Sequence, residues 1–367
     1  MVWNACAQSV LGHRRVAGQG GGGPWYDTDY QRRVSITFLS SQITSTMTNM
    51  TAAVGLEDLP STFHTNVQSD ADDVRASKDD HTTGLDIDLD HYDSTNDDGI
   101  VWVSVGSMSN SVDTVVYLYY DYASATAYPN PQDCWDATGS NYMVVYHMGG
   151  TATSAQPSAT GDANHDAASY NLESGDLIDG KVGQCIDFDG SNEYYAVAVG
   201  TPGAYDLRPD TTFTAMMWFQ ADDFTDGVIM QNSGSSTSQG YGAWIWSSQL
   251  RPSLGNGGNV WTNLTEATSG LSTGTWYHYA FTWDGSSARA YLDGSAISNS
   301  PETEGGAWSW ANQPFYIARR ESAGYYHGKI DEIRVHDNTF AATTIAWVHQ
   351  NQDDPSTTYT VGTEETQ

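Results

Sequence analysis

The feature that most constrains the fold is the stretch of residues 275–294, which has the pattern of two strands joined by a tight turn. Aromatic residues occupy alternate positions of the first strand, at Tyr277, Tyr279, Phe281 and Trp283. Because successive side chains of a strand point to opposite faces, one face carries all four rings. Asp284-Gly285 supplies the turn, since both residues tolerate positive φ. A lone hairpin is not stable in water, so a second sheet is predicted over the aromatic face.

The charge excludes two classes of partner. The chain has 14 Lys and Arg against 45 Asp and Glu, a net charge of −31. Such a surface repels phosphates and anionic lipids, so we expect neither nucleic acid binding nor membrane insertion. No window has the roughly 18 apolar residues that a membrane helix needs. Three explanations of the acidity remain open: a halophilic or marine source, dispersed calcium sites, or ordinary solubilising charge.

The N-terminus favours assembly over export. Residues 1–16 lack the basic-then-apolar order of a signal peptide, and the glycine run at 18–23 predicts a flexible hinge. We therefore expect no signal peptide, and an arm over 1–23 that packs on other copies of the chain or on other virion subunits. Cys6, Cys134 and Cys185 are too few and too far apart for a disulfide scaffold or a zinc site.

The rest of the chain has the pattern of an all-β protein. Short apolar alternations recur, six Asp-Gly pairs mark turns, and the best helical stretch is a short one near residues 58–63. Pro129 and Pro131 indicate a domain boundary. We predict two β-sandwich modules, at 24–135 and 140–350, followed by a C-terminal tail at 351–367.

A string of short motifs characterises the first module. They are Trp25-Tyr26-Asp27, Arg32-Arg33-Val34-Ser35-Ile36, Asp72-Asp73-Val74-Arg75, Val101-Trp102-Val103 and Val116-Tyr117-Leu118-Tyr119-Tyr120. In these motifs the module resembles the DUF2341 family, a β-rich domain of unknown function. The resemblance implies a fold and no chemistry.

The second module has its own motif set. It comprises Gly180-Lys181-Val182-Gly183, Phe213-Thr214-Ala215, the hairpin at 275–294 and Ile330-Asp331-Glu332-Ile333-Arg334-Val335. With these motifs, residues 142–350 resemble the laminin-G-like, concanavalin A-like jelly-roll family. The resemblance implies a jelly roll that binds a surface glycan or a neighbouring subunit.

Catalysis is not expected. The same jelly roll hosts glucanases, which need two carboxylates flanking the scissile bond. The nearest stretch here contains Asp331 and Glu332, and adjacent residues of a strand point to opposite faces. The sequence also contains no Gly-x-Ser-x-Gly and no His-Glu-x-x-His motif.

Calcium is the predicted cofactor, because relatives of this jelly roll hold Ca²⁺ near the rim through carboxylate and carbonyl oxygens. The candidate ligands are Asp162, Asn164, Asp166, Asp222 and Asp223. In the first module, Asp86, Asp88 and Asp90 share a strand face at a spacing of about 7 Å, too wide for one ion without a neighbouring strand. The alternative for every set is a solvated acidic surface.

Sugar binding would use a flat aromatic face beside polar side chains. The candidates are Tyr241, Asn259, Trp261, Trp308 and Trp310, with core packing as the alternative. We expect a non-enzymatic structural or appendage protein on the virion of a tailed virus of a marine or halophilic prokaryote, binding host glycans or other subunits. The alternatives are a secreted, extracellular adhesin and a glycan-cleaving enzyme.

Overall fold

A computed structural model describes residues 24–136, 142–198, 207, 211–232, 239–256, 264–303, 314–320 and 323–367. Over these ranges the protein is all-β, as predicted, and the strand pairs are antiparallel. The hydrophobic cores confirm two β-sandwiches. Within the same ranges, no helix combines the length and the apolar composition needed to cross a membrane.

The strands are numbered in chain order. Up to residue 146 they are β1 (Arg32–Phe38), β2 (Met47–Gly55), β3 (Arg75–Lys78), β4 (Gly84–Leu85), β5 (Ile87–Asp93), β6 (Asp98–Met108), β7 (Thr114–Tyr120) and β8 (Tyr142–Tyr146). Then come β9 (Ala168–Tyr170), β10 (Leu177–Asp179), β11 (Gln184–Asp189), β12 (Tyr194–Val197), β13 (Phe213–Ala221), β14 (Gly227–Asn232), β15 (Gln239–Trp246), β16 (Gln249–Asn256) and β17 (Glu266–Ala267). The last are β18 (Trp276–Trp283), β19 (Ser287–Leu292), β20 (Ser295–Ala296), β21 (Glu302–Thr303), β22 (Phe315–Ile317), β23 (His327–His336), β24 (Tyr359–Val361) and β25 (Glu365–Thr366). The α-helices of the described ranges are α1 (Ser61–Asn66), α2 (Asp133–Asp136) and α3 (Ala342–Asp353).

The first sandwich packs a six-stranded sheet on a three-stranded sheet, counted over the described strands. The larger sheet has the order β24-β1-β7-β3-β4, with β25 beside β1, and the smaller has the order β2-β6-β5. Alternate residues of β1, among them Val34 and Ile36, share one core with Val101 and Val103 of β6. The alternation of each strand therefore fixes which face is buried.

The second sandwich packs a nine-stranded sheet on a seven-stranded sheet, again counting only described strands. The first has the order β10-β11-β23-β13-β18-β19-β20, with β8 beside β23 and β21 beside β19. The second has the order β17-β16-β15-β14-β22-β12-β9. Tyr279, Phe281 and Trp283 of the β18–β19 hairpin lie in the core between them. The predicted role of the aromatic face is confirmed.

The outer face of the nine-stranded sheet is buried as well, which alternation had not indicated. His278, Ala280 and Thr282, which alternate with the core aromatics of β18, have no exposed surface. The first sandwich covers part of this face, where Trp102 and Trp135 share a cluster with Val145 of β8. The two sandwiches thus meet through a sheet-to-sheet interface.

The segment predicted to be a C-terminal tail is instead part of the first sandwich. β24 pairs with β1, and β25 pairs with β1 at Arg32 and Arg33. Arg33 is almost fully buried, and its guanidinium lies 2.6 Å from the Glu365 carboxylate. The prediction was wrong because β1 needs a second neighbour, and the end of the chain supplies it.

Helix α3 was not predicted, and it fills the remaining space between the sandwiches. Its Ile345, Trp347 and Val348 are buried in the first core, together with Met216 from the outer face of the nine-stranded sheet. The Asn351 side chain forms two hydrogen bonds with the edge of β2. Its Oδ1 accepts from Ala53 N at 2.8 Å and its Nδ2 donates to Ala53 O at 3.0 Å. One amide side chain therefore satisfies both backbone groups of a buried edge residue.

Replacing this amide should destabilise the whole protein. Asn351→Ala leaves the Ala53 N–H and C=O without partners, and each loss costs about 1–3 kcal/mol, so we expect a total of about 2–6 kcal/mol. Gln350→Ala is the matched control, since it removes a half-buried amide bonded to Gln42 and should cost less than about 1 kcal/mol. Urea unfolding gives both values, and equal losses would contradict the assignment.

Candidate functional site

A bulge in β23 brings two acidic side chains into the interface between the sandwiches. Met216 pairs with Arg334 and Trp218 pairs with Asp331, so two residues of β23 oppose one residue of β13. Glu332, one of the two, has a φ of +48°. Asp331 and Glu332 are both almost fully buried. The prediction that they point to opposite faces was wrong, because it assumed a regular strand.

Glu332 is the centre of a buried ionic network. Its Oε2 accepts from Arg334 Nε at 3.0 Å and Nη2 at 2.5 Å, and its Oε1 lies 2.5 Å from His147 Nδ1. The Arg334 guanidinium lies over the rings of Trp102 and Trp135, at 4.2 and 4.6 Å from their centroids. Burial raises the pKa of Glu332, but His147 and Arg334 outweigh it and hold the pKa below its usual range.

His147 connects this network to the first sandwich. Its Nε2 lies 3.3 Å from Asp88 Oδ2 and its Nδ1 lies 3.8 Å from Asp90 Oδ2. Burial lowers the pKa of His147, but Glu332 and Asp90 raise it well above its usual range, so the ring carries both protons. Asp88 and Asp90 reach one ring from the same strand, in agreement with their predicted common face.

A second cluster lies on the outer face of the seven-stranded sheet, opposite the interface. Tyr170 and Tyr194 are paired across β9 and β12, and their rings are parallel at a centroid distance of 4.4 Å. The Arg319 guanidinium lies 4.1 Å from the Tyr194 ring centroid and 5.0 Å from that of Tyr316. Tyr170 is 43% exposed, so the end of this cluster faces solvent.

The same face continues toward β15. Because Tyr241 and Ala243 face the core, alternation places Trp244 and Trp246 on the outer face. Their ring centroids are 6.5 Å apart, Arg320 lies 5.8 Å from that of Trp244, and Trp246 is 38% exposed. We name this surface the aromatic strip, comprising Tyr170, Tyr194, Tyr316, Trp244 and Trp246, of which Trp244 is only 3% exposed and packs near Trp246 rather than facing solvent.

The sequence did not predict the aromatic strip, because its sugar-binding candidates were expected in Gly- and Asn-rich loops. A signal was present at Tyr194-Tyr195. Adjacent residues of a strand face opposite sides, so one of these tyrosines had to lie on the outside. Tyr195 is fully buried, and Tyr194 lies on the outer face.

Of the predicted sugar-binding residues, only Tyr241 lies in the described ranges, and its prediction was wrong. Its side chain is fully buried, and its hydroxyl donates to Leu207 O at 2.9 Å. Strand β15 directs Tyr241 into the core, so it cannot contact a ligand at the surface. Asn259, Trp261, Trp308 and Trp310 lie outside the described residues, as does the arm over 1–23.

The first calcium candidates are engaged within their own loop. Asp162 Oδ1 accepts from both the backbone and the side-chain amide of Asn164, at 3.0 and 2.8 Å. Asp166 Oδ1 accepts from Ser158 N at 3.0 Å. Calcium requires six to eight oxygen ligands, and these contacts show turn-forming roles for the side chains.

The second calcium pair faces a histidine. His327 Nδ1 lies 2.8 Å from Asp223 Oδ2, and its Nε2 lies 3.6 Å from Asp222 Oδ2. The hydrogen bond to Asp223 is the largest cause of a raised His327 pKa. Together with the charges of nearby aspartates it outweighs the effect of burial. The hydrogen bond from the His327 ring occupies the Asp223 carboxylate, so the contacts give no support to calcium at this pair. Calcium binding stays a prediction.

Two family models match the chain. Residues 70–147 match DUF2341, a domain of unknown function, and residues 189–346 match Laminin_G_3, described as the concanavalin A-like lectin/glucanases superfamily. The chain joins a DUF2341 domain to a Laminin_G_3 domain. This is the order predicted from the sequence motifs.

Several solved structures are similar to this chain. The receptor binding domain of botulinum neurotoxin D has 12% identity and a TM-score of 0.45, over 58% of this chain and 53% of that chain. Domain 4 of AbnA, a GH43 extracellular arabinanase from Geobacillus stearothermophilus in complex with arabinotriose, has 15% identity and a TM-score of 0.42, over 57% and 98%. Trypanosoma rangeli sialidase has 15% identity and a TM-score of 0.45, over 68% and 42%. The chain thus spans about half of the neurotoxin structure. The comparison with curated proteins gives no match.

The interface between the two sandwiches also contains His278, whose pKa shifts in the direction opposite to that of His147. His278 is fully buried, and neither ring nitrogen has a hydrogen-bond partner in the described structure. Burial, followed by the nearby His349 and Arg334, lowers the pKa of His278 well below its usual range. The ring is therefore neutral in the folded protein. Its contribution to stability is complete above the unfolded-state pKa of about 6.5 and is lost as the pH falls below it.

Removing His278 should reduce the sensitivity of the fold to acid. Between pH 6.5 and 5.5 the unfolding free energy of the natural chain should fall more steeply than that of His278→Leu, by up to about 1.4 kcal/mol per pH unit. His327→Leu is the control with the opposite sign. The raised pKa of His327 stabilises the natural fold below about pH 6.5, so removing this histidine should make the loss of stability with falling pH steeper. Denaturant unfolding at several pH values measures the slopes, and parallel slopes for His278→Leu and the natural chain would disprove the prediction.

Proposed function

We propose that the protein is a non-enzymatic carbohydrate-binding protein whose binding surface is the aromatic strip. The observation that carries the proposal is the parallel Tyr170–Tyr194 pair with Arg319 over it, on the outer face of the seven-stranded sheet. The match to the lectin/glucanase superfamily covers most strands of that sheet and supports a role in carbohydrate binding. The first sandwich covers part of the opposite sheet of the same sandwich, whereas Tyr170 and Trp246 on this face are exposed to solvent.

The chemistry of the strip suits a sugar. Flat aromatic rings pack on the C–H surface of a pyranose, and the fixed donors of a guanidinium bind hydroxyl or carboxylate oxygens. The chain has 14 basic residues at a net charge of −31, and Arg319 and Arg320 both lie over rings of the strip. Positive charge concentrated on an acidic protein favours a ligand that carries an acidic group. We therefore expect acidic glycans to bind more tightly than neutral ones.

The proposal that the protein is not an enzyme rests on its carboxylates. Glycoside hydrolysis needs two carboxyl groups on either side of a bound sugar. The adjacent pair Asp331 and Glu332 is buried between the sandwiches, on the face opposite the strip. A glycan-cleaving activity would therefore need acids from another part of the chain.

The setting of the protein remains as the sequence predicts it. We propose display on the virion of a tailed virus of a marine or halophilic prokaryote, with the arm over 1–23 contacting other subunits. A secreted adhesin on a cell surface is the alternative. Both settings use the same glycan-binding face.

Disrupting the strip should weaken glycan binding. A glycan array would identify ligands, and isothermal titration would then compare the variants. Tyr194→Ala removes the ring that contacts both Tyr170 and Arg319, so we expect at least a tenfold loss of affinity, about 1.4 kcal/mol. Arg319→Gln should weaken acidic glycans more than neutral ones. Tyr26→Ala is the control, because this tyrosine is comparably exposed, at 39%, on the other sandwich.

The outcomes separate the candidate surfaces. Binding that survives Tyr194→Ala but is abolished by Trp261→Ala would assign the site to the loop predicted from the sequence. Dependence on added Ca²⁺ would support the calcium prediction. Failure to bind any glycan, with or without Ca²⁺, would contradict the proposed function.

A further inference from the structure

We propose that Asp90, His147 and Glu332 bind a divalent transition-metal ion that joins the two sandwiches. Asp90 lies on β5 of the first sandwich, His147 directly follows β8, and Glu332 lies in the bulge of β23. One potential ligand atom from each residue lies within 4.8 Å of the other two. The three ligands thus come from separate parts of the fold, and an ion bound by them would fix the interface.

The Asp90 carboxyl group has an oxygen available to an ion. Its side chain is only 4% exposed, and its Oδ2 has no hydrogen-bond partner in the described structure. Burial raises the pKa of Asp90 to about 7, and the N–H of the nearby Trp102 indole is also without a hydrogen bond. A buried carboxylate oxygen without a partner is costly, and a cation at this position would remove that cost.

The charges around the cluster favour a cation as well. Four carboxylates meet there, those of Asp88, Asp90, Asp331 and Glu332. The cations facing them are Arg334, which is engaged with one carboxylate, and the ring of His147. The carboxyl groups outnumber the cations, and burial raises the pKa of Asp90 and of Asp331, so a cation at the cluster would compete with protons on these two groups.

The distances are close to those of a metal centre. Tetrahedral coordination with bonds of about 2.1 Å places ligand atoms about 3.4 Å apart. The distance from His147 Nδ1 is 2.5 Å to Glu332 Oε1 and 3.8 Å to Asp90 Oδ2, values on either side of this separation. Small side-chain movements would let an ion replace the proton that His147 Nδ1 shares with Glu332.

The surroundings already orient these ligands. Asp88 lies 3.3 Å from His147 Nε2, which is the carboxylate contact that a metal-bound imidazole makes through its other nitrogen. Arg334 binds Glu332 Oε2 and leaves Oε1 directed at His147. Gly183 lies beside Asp90, and a Cβ there would be 3.4 Å from Asp90 Oδ2. Gly183 therefore borders the ligand cluster without a side chain of its own.

The ligand types select the class of ion. One imidazole nitrogen with two carboxylate oxygens suits Zn²⁺, Mn²⁺ or Fe²⁺, whereas Ca²⁺ prefers a larger set of oxygens. The site is therefore separate from the calcium sites predicted at the rim of the jelly roll. It is also independent of glycan binding.

Zinc titration of the full, untagged chain after chelator treatment and dialysis tests the proposal. Isothermal titration should show one Zn²⁺ per chain, with no comparable binding of Ca²⁺. Asp90→Asn should keep the fold, because Oδ2 has no hydrogen bond to lose, and should weaken Zn²⁺ binding at least tenfold. Asp97→Asn is the matched control at the His64–Asp97 pair, where Asp97 is exposed, and should leave the affinity unchanged.

Cobalt provides a second readout. Co²⁺ should give the visible absorption of a nitrogen- and oxygen-ligated ion in the natural chain, and His147→Gln should abolish it. The proposal is overturned if the chain binds no Zn²⁺, if Asp90→Asn binds it as tightly as the natural chain, or if Asp97→Asn removes the binding.

Discussion

The ion pair between Glu332 and Arg334 is enclosed by both sandwiches, and the arrangement of the rest of the protein follows from that enclosure. Charges removed from water are stabilised only when their partners are well placed. Here Arg334 makes two contacts to Glu332 and lies over two indole rings, while His147 binds the other carboxylate oxygen. Separating the sandwiches would return these groups to water without their partners and expose an apolar sheet face. The DUF2341 and Laminin_G_3 domains are therefore parts of one structure.

The path of the chain reinforces this dependence. After the jelly roll, α3 crosses the interface and β24 and β25 complete the first sandwich, so the first module contains both ends of the described chain. The family matches at 70–147 and 189–346 are narrower than these structural units. The first sandwich packs on the jelly roll. It covers one sheet of the jelly roll and leaves the sheet with the aromatic strip facing outward.

The sequence predicted the features that depend on alternation or on a motif string. The order of the domains and the core role of Tyr279 and Phe281 are examples. Alternation fails where a strand is irregular. No sequence pattern predicts the positive φ of Glu332, which places its side chain on the same face of the strand as that of Asp331. Helix α3 was missed because it buries Asn351 and Gln352 beside its apolar residues, which obscures the helical period. The ionic network joins residues 90, 147 and 332, a proximity that only the folded chain creates.

The central claim is that the two sandwiches unfold as one cooperative unit. Differential scanning calorimetry of the full chain tests it directly, by comparing the calorimetric enthalpy of unfolding with the van't Hoff enthalpy of the same transition. We predict one transition in which the two enthalpies are equal. Two resolved transitions, or a calorimetric enthalpy about twice the van't Hoff value, would show that each sandwich unfolds alone and would contradict the account.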